Sequence, residues 1–305
     1  MQENLKQQIH EAVNNWIEPG NNDRSAEKLA VKSGVSTSYI SHIKRGLFSI
    51  GQTLISDATF IKLAIALGIK AGNELHWETK NFVFIQKVCA RTQESSKIVL
   101  LDSERSGLGK TYALEYYATY HDRVLYIKCT KSMSPKDMLN EILYKLHITD
   151  VPTGLKDKID AIRNKVLSVE NYLIIIDEAE IVKNSIYLLI KEIIDFTYRK
   201  CAVIVSGLGL HQKLKKYSDK NKEGFPQLRR RLSIVCMVTS IDNLEMINLL
   251  NSEGITSTSA HRWFVRNVTD YQALTEYVMD AKELAVRTSR PIDGVFLKEA
   301  FGLSE

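Results

Sequence analysis

The chain has 305 residues, 44% of them apolar and 25% charged, with a net charge of +5. That length holds two or three domains and a sizeable core, and the mild basicity permits an anionic partner without requiring one. No apolar run nears the roughly 20 residues of a membrane-crossing helix, and "MQENLKQQIHEAVNNW" lacks an apolar signal core, so no membrane association is expected. Cys89, Cys129, Cys201 and Cys236 lie far apart without a C-x-x-C pair, and the histidines show no metal-ligand spacing. Reduced, mostly buried thiols in a cytoplasmic protein are expected, with no metal site made wholly of protein ligands.

Residues 1–78 read as short helices broken by "EPGNND" (18–23), Gly34, Gly46 and Gly68. Within them "AEKLAVKSGVSTSYISHIKRG" (26–46) fits a helix-turn-helix. Ala30 is small where two helices would cross, Gly34 supplies the turn, and Ile40 and Ile43 anchor the second helix. Ser36, Thr37, Ser38, Tyr39, His42, Lys44 and Arg45 are thereby left for double-stranded DNA, as phosphate contacts with limited base readout. A small helical interaction module is the plainer alternative.

Residues 79–238 alternate apolar strand-like runs with helical stretches. The strands are expected at 97–102, 123–129, 171–177, 201–207 and 232–238. Each is nearly continuous in apolar character, as parallel strands covered on both faces are, so the fold class is α/β.

"ERSGLGKT" (104–111) follows the first of these strands and precedes the helical "KTYALEYYATY". It ends as a phosphate-binding loop ends. Backbone N–H groups of Ser106, Gly107, Leu108 and Gly109, and the helix start through Tyr112, would face the phosphates of ATP. Lys110 would reach the β- and γ-phosphates, and Thr111 would ligate Mg²⁺. Glu104 stands where the motif has glycine, and turned inward it would repel the nucleotide.

"YLIIIDEAE" (172–180) supplies the acidic partner. A buried strand delivers Asp177 to its C-terminal end, where α/β sheets bind ligands. Asp177 would hold Mg²⁺ through water, and Glu178 would act as general base on the attacking water. The bland reading, a capped strand end, weakens when the pair accompanies a phosphate loop. Further on, "VIVSGLGLHQ" offers Ser206 as a polar residue ending the fourth strand. Lys213, Lys215 and Lys216 in "HQKLKKYSDKNK" (211–222) could track a DNA backbone, though such runs are commonly solvated surface. Residues 239–305 return to helices, including "DNLEMINLLN" and "YQALTEYVMDAKELA".

The order of parts resembles the phage Mu transposition protein B family of AAA+ ATPases, and more loosely the AAA+ helper ATPases of other transposons. The likeness rests on "LAVKSGVSTSYISHIKRG" (29–46), "GLGKTYALEYY" (107–117), "LIIIDEAE" (173–180) and "FPQLRRRL" (225–232). It implies an AAA+ P-loop NTPase with a five-stranded parallel sheet, in three domains. These are a helix-turn-helix domain (1–78), an ATPase core (79–238) and a helical lid (239–305). It also implies an arginine finger acting on a neighbouring subunit's nucleotide, with Arg231 or Arg229 as candidates in the run that includes Arg230. The family's usual asparagine at the end of the fourth strand is missing, and "TDYQALTEY" (269–277) holds no arginine for a lid sensor.

The implied function is ATP-dependent, largely non-specific DNA binding. The protein would oligomerise into a filament or ring on DNA and present target DNA to a transposase, hydrolysing ATP slowly until DNA or a partner stimulates it. A nucleotide-gated transcriptional regulator, a helicase-loader-like ATPase and a non-enzymatic ATP-binding scaffold use the same parts.

Overall fold

The computed structural model describes residues 3–17, 24–50, 53–67 and 77–302. They divide into two units, one up to residue 76 and one from Trp77 onward. "EPGNND" and Gly68 lie outside the described residues.

The first unit has helices α1 (Glu3–Trp16), α2 (Ala26–Ser33) and α3 (Thr37–Lys44), a short hairpin of β1 (Ser49–Ile50) with β2 (Thr53–Leu54), and α4 (Asp57–Ala66). Ser25 caps α2 by accepting from Lys28 N, and Gly34 ends it at φ 65. That left-handed position costs a residue with a Cβ about 1–2 kcal/mol, which is why glycine makes the turn. Ser36 then caps α3 by accepting from Tyr39 N. Ile40 and Ile43 are fully buried with Leu29, Ile9, Val13 and Phe60, and Ala30 packs against the same cluster. The His10 ring donates to Ile43 O at 2.7 Å, and the Asn14 amide donates to Lys44 O at 3.2 Å, which fixes α1 against the end of α3.

The second unit is built on a sheet of five parallel strands. In chain order they are β3 (Ile98–Ser103), β4 (Val124–Lys128), β5 (Leu173–Asp177), β6 (Ala202–Leu208) and β7 (Ile234–Val238), and in space they run β4-β5-β6-β3-β7. Each observed strand lies within a residue or two of its expected span. One face is covered by α5 (Lys80–Ser95) and α6 (Lys110–Tyr120), which bury Ile85, Cys89 and Leu114 against Val99, Ile175 and Ile204. The other carries α7 (Pro135–Lys145), α8 (Leu155–Leu167), α9 (Asn184–Thr197), α10 (Leu210–Asp219) and α11 (Phe225–Arg231) over Leu100, Ile174, Ile176 and Val205. Four consecutive aliphatic residues, Leu173 to Ile176, are each at most 1% exposed. Each such buried side chain contributes about 1.5–3 kcal/mol.

Coverage of both faces does not extend to β7. Among the described residues it pairs only with β3, and Ile234 and Met237 are exposed there, contrary to the expectation for this strand. Helices α12 (Asn243–Ser252), α13 (Thr258–Asn267), α14 (Tyr271–Thr288) and α15 (Gly294–Phe301) follow. They bury Met246, Leu250, Trp263, Phe264, Leu274, Val278 and Leu297. Among the described residues no helix is long and apolar enough to cross a membrane.

Candidate functional site

The loop between β3 and α6 turns twice through left-handed glycines, Gly107 at φ 73 and Gly109 at φ 80. Gly109 N-caps α6 with no side-chain hydrogen bond to its first turn, so the amides at the start of that helix are free to meet an anion. Glu104, the departure from the glycine pattern, is exposed in the bend after β3, as is Ser106, while Leu108 is buried. The Lys110 ammonium donates to Ser103 Oγ at the end of β3. Tyr112 is 42% exposed beside Phe82, with ring centroids 6.1 Å apart.

Strand β5 ends against this loop. Thr111 Oγ1 donates to Asp177 Oδ2 at 2.8 Å and lies 3.5 Å from Glu178 Oε1. Asp177 is 1% exposed. Glu178 leaves the strand at φ 57, a left-handed conformation that is strained for a residue with a Cβ. The next carboxylate, Glu180, has one oxygen buried without a hydrogen-bond partner among the described residues. Burial raises its pKa, and the nearby Glu178 charge adds to the rise. Ser206 is 0% exposed, and its hydroxyl too has no hydrogen-bond partner among the described residues. It sits one register step beyond the Ile176–Val205 pair, beside Asp177 on the face covered by α6.

The donors gathered here are a threonine hydroxyl, a buried carboxylate and an unsatisfied serine hydroxyl. These are hard oxygen ligands that suit Mg²⁺ rather than a thiolate-seeking metal. Thr111 and Asp177 are the residues that could hold it.

Several residues that sequence reasoning passed over complete the surroundings. Tyr126 on β4 reaches Asp177 Oδ2 at 3.1 Å. The buried Asn81 amide donates to Leu108 O at 3.2 Å and to Thr239 O at 2.7 Å, which ties the phosphate loop to the chain leaving β7. Tyr271 N and Gln272 N, opening α14, donate to Gly107 O at 3.1 and 3.2 Å. The Asp270 side chain fills the space a Cβ on Gly107 would need. Tyr271 OH donates to Glu245 Oε2 at 2.9 Å, and Glu245 also receives Lys80 N. Burial and the Glu245 charge push the Tyr271 phenol up, so it stays a donor. A tyrosine tip inside an apolar strand was a readable signal for Tyr126. Nothing local marked Asn81 or Asp270.

Residues 104–216 match the family model described as an AAA domain. In structure the chain is similar to the Orc1 protein of Aeropyrum pernix, solved in complex with DNA, with 13% identity and a TM-score of 0.53 over 73% of this chain and 64% of that one. The fold is that of an AAA+ P-loop NTPase. Other similar structures are the Thermotoga maritima RuvB Holliday junction branch migration motor, with 13% identity and a TM-score of 0.47 over 72% of this chain and 68% of that one. Domain III of the T. maritima replication initiation protein DnaA gives 14% identity and a TM-score of 0.45 over 75% of this chain and 94% of that one. No curated protein matches the chain in sequence.

Within this AAA+ fold the remaining expected residues divide into free and engaged ones. Arg231 Nε donates to Asp195 Oδ1 at 3.1 Å, and its guanidinium lies 4.3 Å from the centre of the Tyr198 ring. Arg229 donates to Asp219 Oδ1 at 3.1 Å. The two arginines favoured from sequence are therefore held by their own chain, whereas Arg230 is exposed and has no ion pair among the described residues. Lys213 also departs from expectation. Its ammonium donates to Glu180 O at 2.5 Å and lies over the Tyr187 ring, so it serves the turn after β5 instead of a surface track. Lys215 and Lys216 are exposed. Leu208, the last residue of β6, is 37% exposed.

On α3 the residues Thr37, Ser38, Tyr39, Lys44 and Arg45 share the exposed side. Ser36 spends its hydroxyl on the cap, and His42 is half-buried with its ring against Ser38 O at 2.9 Å. Arg45 Nε folds back on Ser41 O at 3.2 Å.

Proposed function

We propose that the protein is an ATPase that binds double-stranded DNA, oligomerises on it in the ATP state and helps a transposase capture target DNA. In this reading residues 1–78 bind DNA through a helix-turn-helix of α2 and α3, residues 79–238 hydrolyse ATP, and residues 239–305 form the lid. The observation that supports its ATPase part is the hydrogen bond between Thr111 and Asp177, with Lys110, Glu178 and the unsatisfied Ser206 hydroxyl around it.

The amides of Ser106, Gly107, Leu108 and Gly109, with those of Lys110, Thr111 and Tyr112 opening α6, receive the phosphates. Lys110 exchanges its Ser103 partner for the β- and γ-phosphates. Thr111, directly, and Asp177, through water, would hold a Mg²⁺ ion, which would supply neutralisation of the phosphate charge. Glu178 accepts a proton from the attacking water, and Ser206 hydrogen-bonds within the same pocket. The fold's tie between Gly107 O and the start of α14 supports lid coupling, because loss of the loop's shape would release the lid.

An arginine finger from α11 supports hydrolysis across a subunit boundary. Arg231 and Arg229 would have to leave Asp195 and Asp219 to serve, so contact with a neighbour would be what frees them. That arrangement favours slow hydrolysis by the isolated chain and faster hydrolysis once subunits assemble.

The test is ATP hydrolysis by the purified protein with and without random-sequence double-stranded DNA. Stimulation by any DNA supports the transposition-helper reading. Binding of ATP with a flat response, or binding held at one operator against random competitor, supports the regulator instead.

A further inference from the structure

We infer that Tyr126 is a positioning residue for Asp177, fixing the orientation of the carboxylate that would hold Mg²⁺ together with Thr111. The inference rests on the reading of Thr111 and Asp177 as the metal-holding pair.

Among the described residues strand β4 is an edge strand paired to β5, with Tyr126 opposite Ile175 and Lys128 opposite Asp177. Tyr126 and Asp177 are therefore diagonal neighbours on one face of the sheet, a separation that an aromatic side chain can span. The phenol hydroxyl reaches Asp177 Oδ2 at 3.1 Å and Glu115 Oε1 at 3.3 Å. Thr111 donates to the same Asp177 oxygen at 2.8 Å. Two donors on Oδ2 fix the orientation of the carboxylate beside Thr111.

Packing alone does not ask for that hydroxyl. The strand reads Val-Leu-Tyr-Ile-Lys, and a phenylalanine ring would fill the same space under Lys145, whose ammonium lies 5.8 Å from the ring centre. One phenolic proton also serves two carboxylates. Glu115 competes with Asp177 for it, and Lys128 lies 3.9 Å from Glu115 on the solvent side. Outer-shell partners of this kind set the orientation of a ligating carboxylate, and their loss commonly costs 10- to 100-fold in metal affinity or activity.

The experiment is Mg²⁺ titration of fluorescent-nucleotide binding by the full chain, comparing wild type, Tyr126→Phe and Glu115→Gln. Tyr126→Phe should shift the Mg²⁺ midpoint upward by about tenfold, with nucleotide binding in EDTA and the thermal midpoint unchanged. Glu115→Gln leaves the phenol with one charged acceptor, so its Mg²⁺ midpoint should not rise. An unshifted midpoint in Tyr126→Phe overturns the inference, as does an equal loss of binding with and without Mg²⁺, which would mark a merely structural role. A wild-type chain that binds nucleotide but ignores Mg²⁺ overturns it as well, while leaving nucleotide binding intact. A wild-type chain that binds no nucleotide overturns the functional reading and this inference together.

Discussion

Thr111 Oγ1 and Asp177 Oδ2 lie 2.8 Å apart although 66 residues separate them in the chain. The bond joins the first turn of α6 to the last residue of β5. It forms because the two strands that carry these segments are separated in the sheet only by β6. The hydroxyl and the carboxylate therefore meet before any ligand arrives.

Glu178→Gln should leave nucleotide binding intact and lower the hydrolysis rate by at least about 100-fold, the scale of a lost general base. Single-turnover hydrolysis beside equilibrium binding separates the two effects. A rate within a few-fold of wild type would remove Glu178 from the role.

Gly107→Ala meets two obstacles at once. The backbone is at φ 73, and the Asp270 side chain occupies the direction a methyl group would take. The backbone alone costs about 1–2 kcal/mol, and the displaced Asp270 weakens the ties of Tyr271 N and Gln272 N to Gly107 O. Urea denaturation should show that loss, and limited proteolysis should cut α12–α15 sooner than in the wild type.

Arg231→Ala has a pH signature. Burial pushes the Asp195 carboxyl up, but the hydrogen bonds and charges of Lys191 and Arg231 outweigh it, so its pKa lies below the ordinary value. A depressed acid stabilises the fold above the ordinary carboxylate range and loses that contribution as pH falls through its lowered value. The substitution should therefore cost about 0.5–1 kcal/mol near neutrality, as half-exposed pairs do, and progressively less in acid. Denaturation at about pH 7 and about pH 3 measures this. An equal cost at both would assign the effect to the stack on Tyr198.

Lys44→Ala with Arg45→Ala should weaken DNA binding alike for all sequences. The slope of log K against log salt should fall by about 0.9 for each phosphate that the variant no longer neutralises. Binding measured by anisotropy across a salt series reads the slope directly. An unchanged slope would take α3 out of the DNA interface.

Much of this was legible in the chain itself. The five strands declared themselves by short apolar runs; for β3, β5 and β6 the reason is that strands covered on both faces admit little else, whereas β4 and β7 are only partly buried. "GLGKT" and "IIIDEAE" were readable because their chemistry is local, made of left-handed glycines, a helix start and a strand end. The order and register of β5 and β6, which the fold and not the sequence supplied, then placed Asp177 and Ser206 side by side.

What the sequence could not decide was which charged groups are free. Arg231, Arg229 and Lys213 read as available cations, but their partners Asp195, Asp219 and the carbonyl of Glu180 come from elements distant in sequence. Asn81 and Asp270 were silent for the same reason, since each acts through a group 27 or more residues away, and the tyrosine in the apolar β4 run did not disclose its partner Asp177. Local motifs follow from the geometry of a few adjacent residues. Pairing of side chains depends on how the sheet and its helices bring remote segments within about 3 Å, and only the tertiary structure settles that.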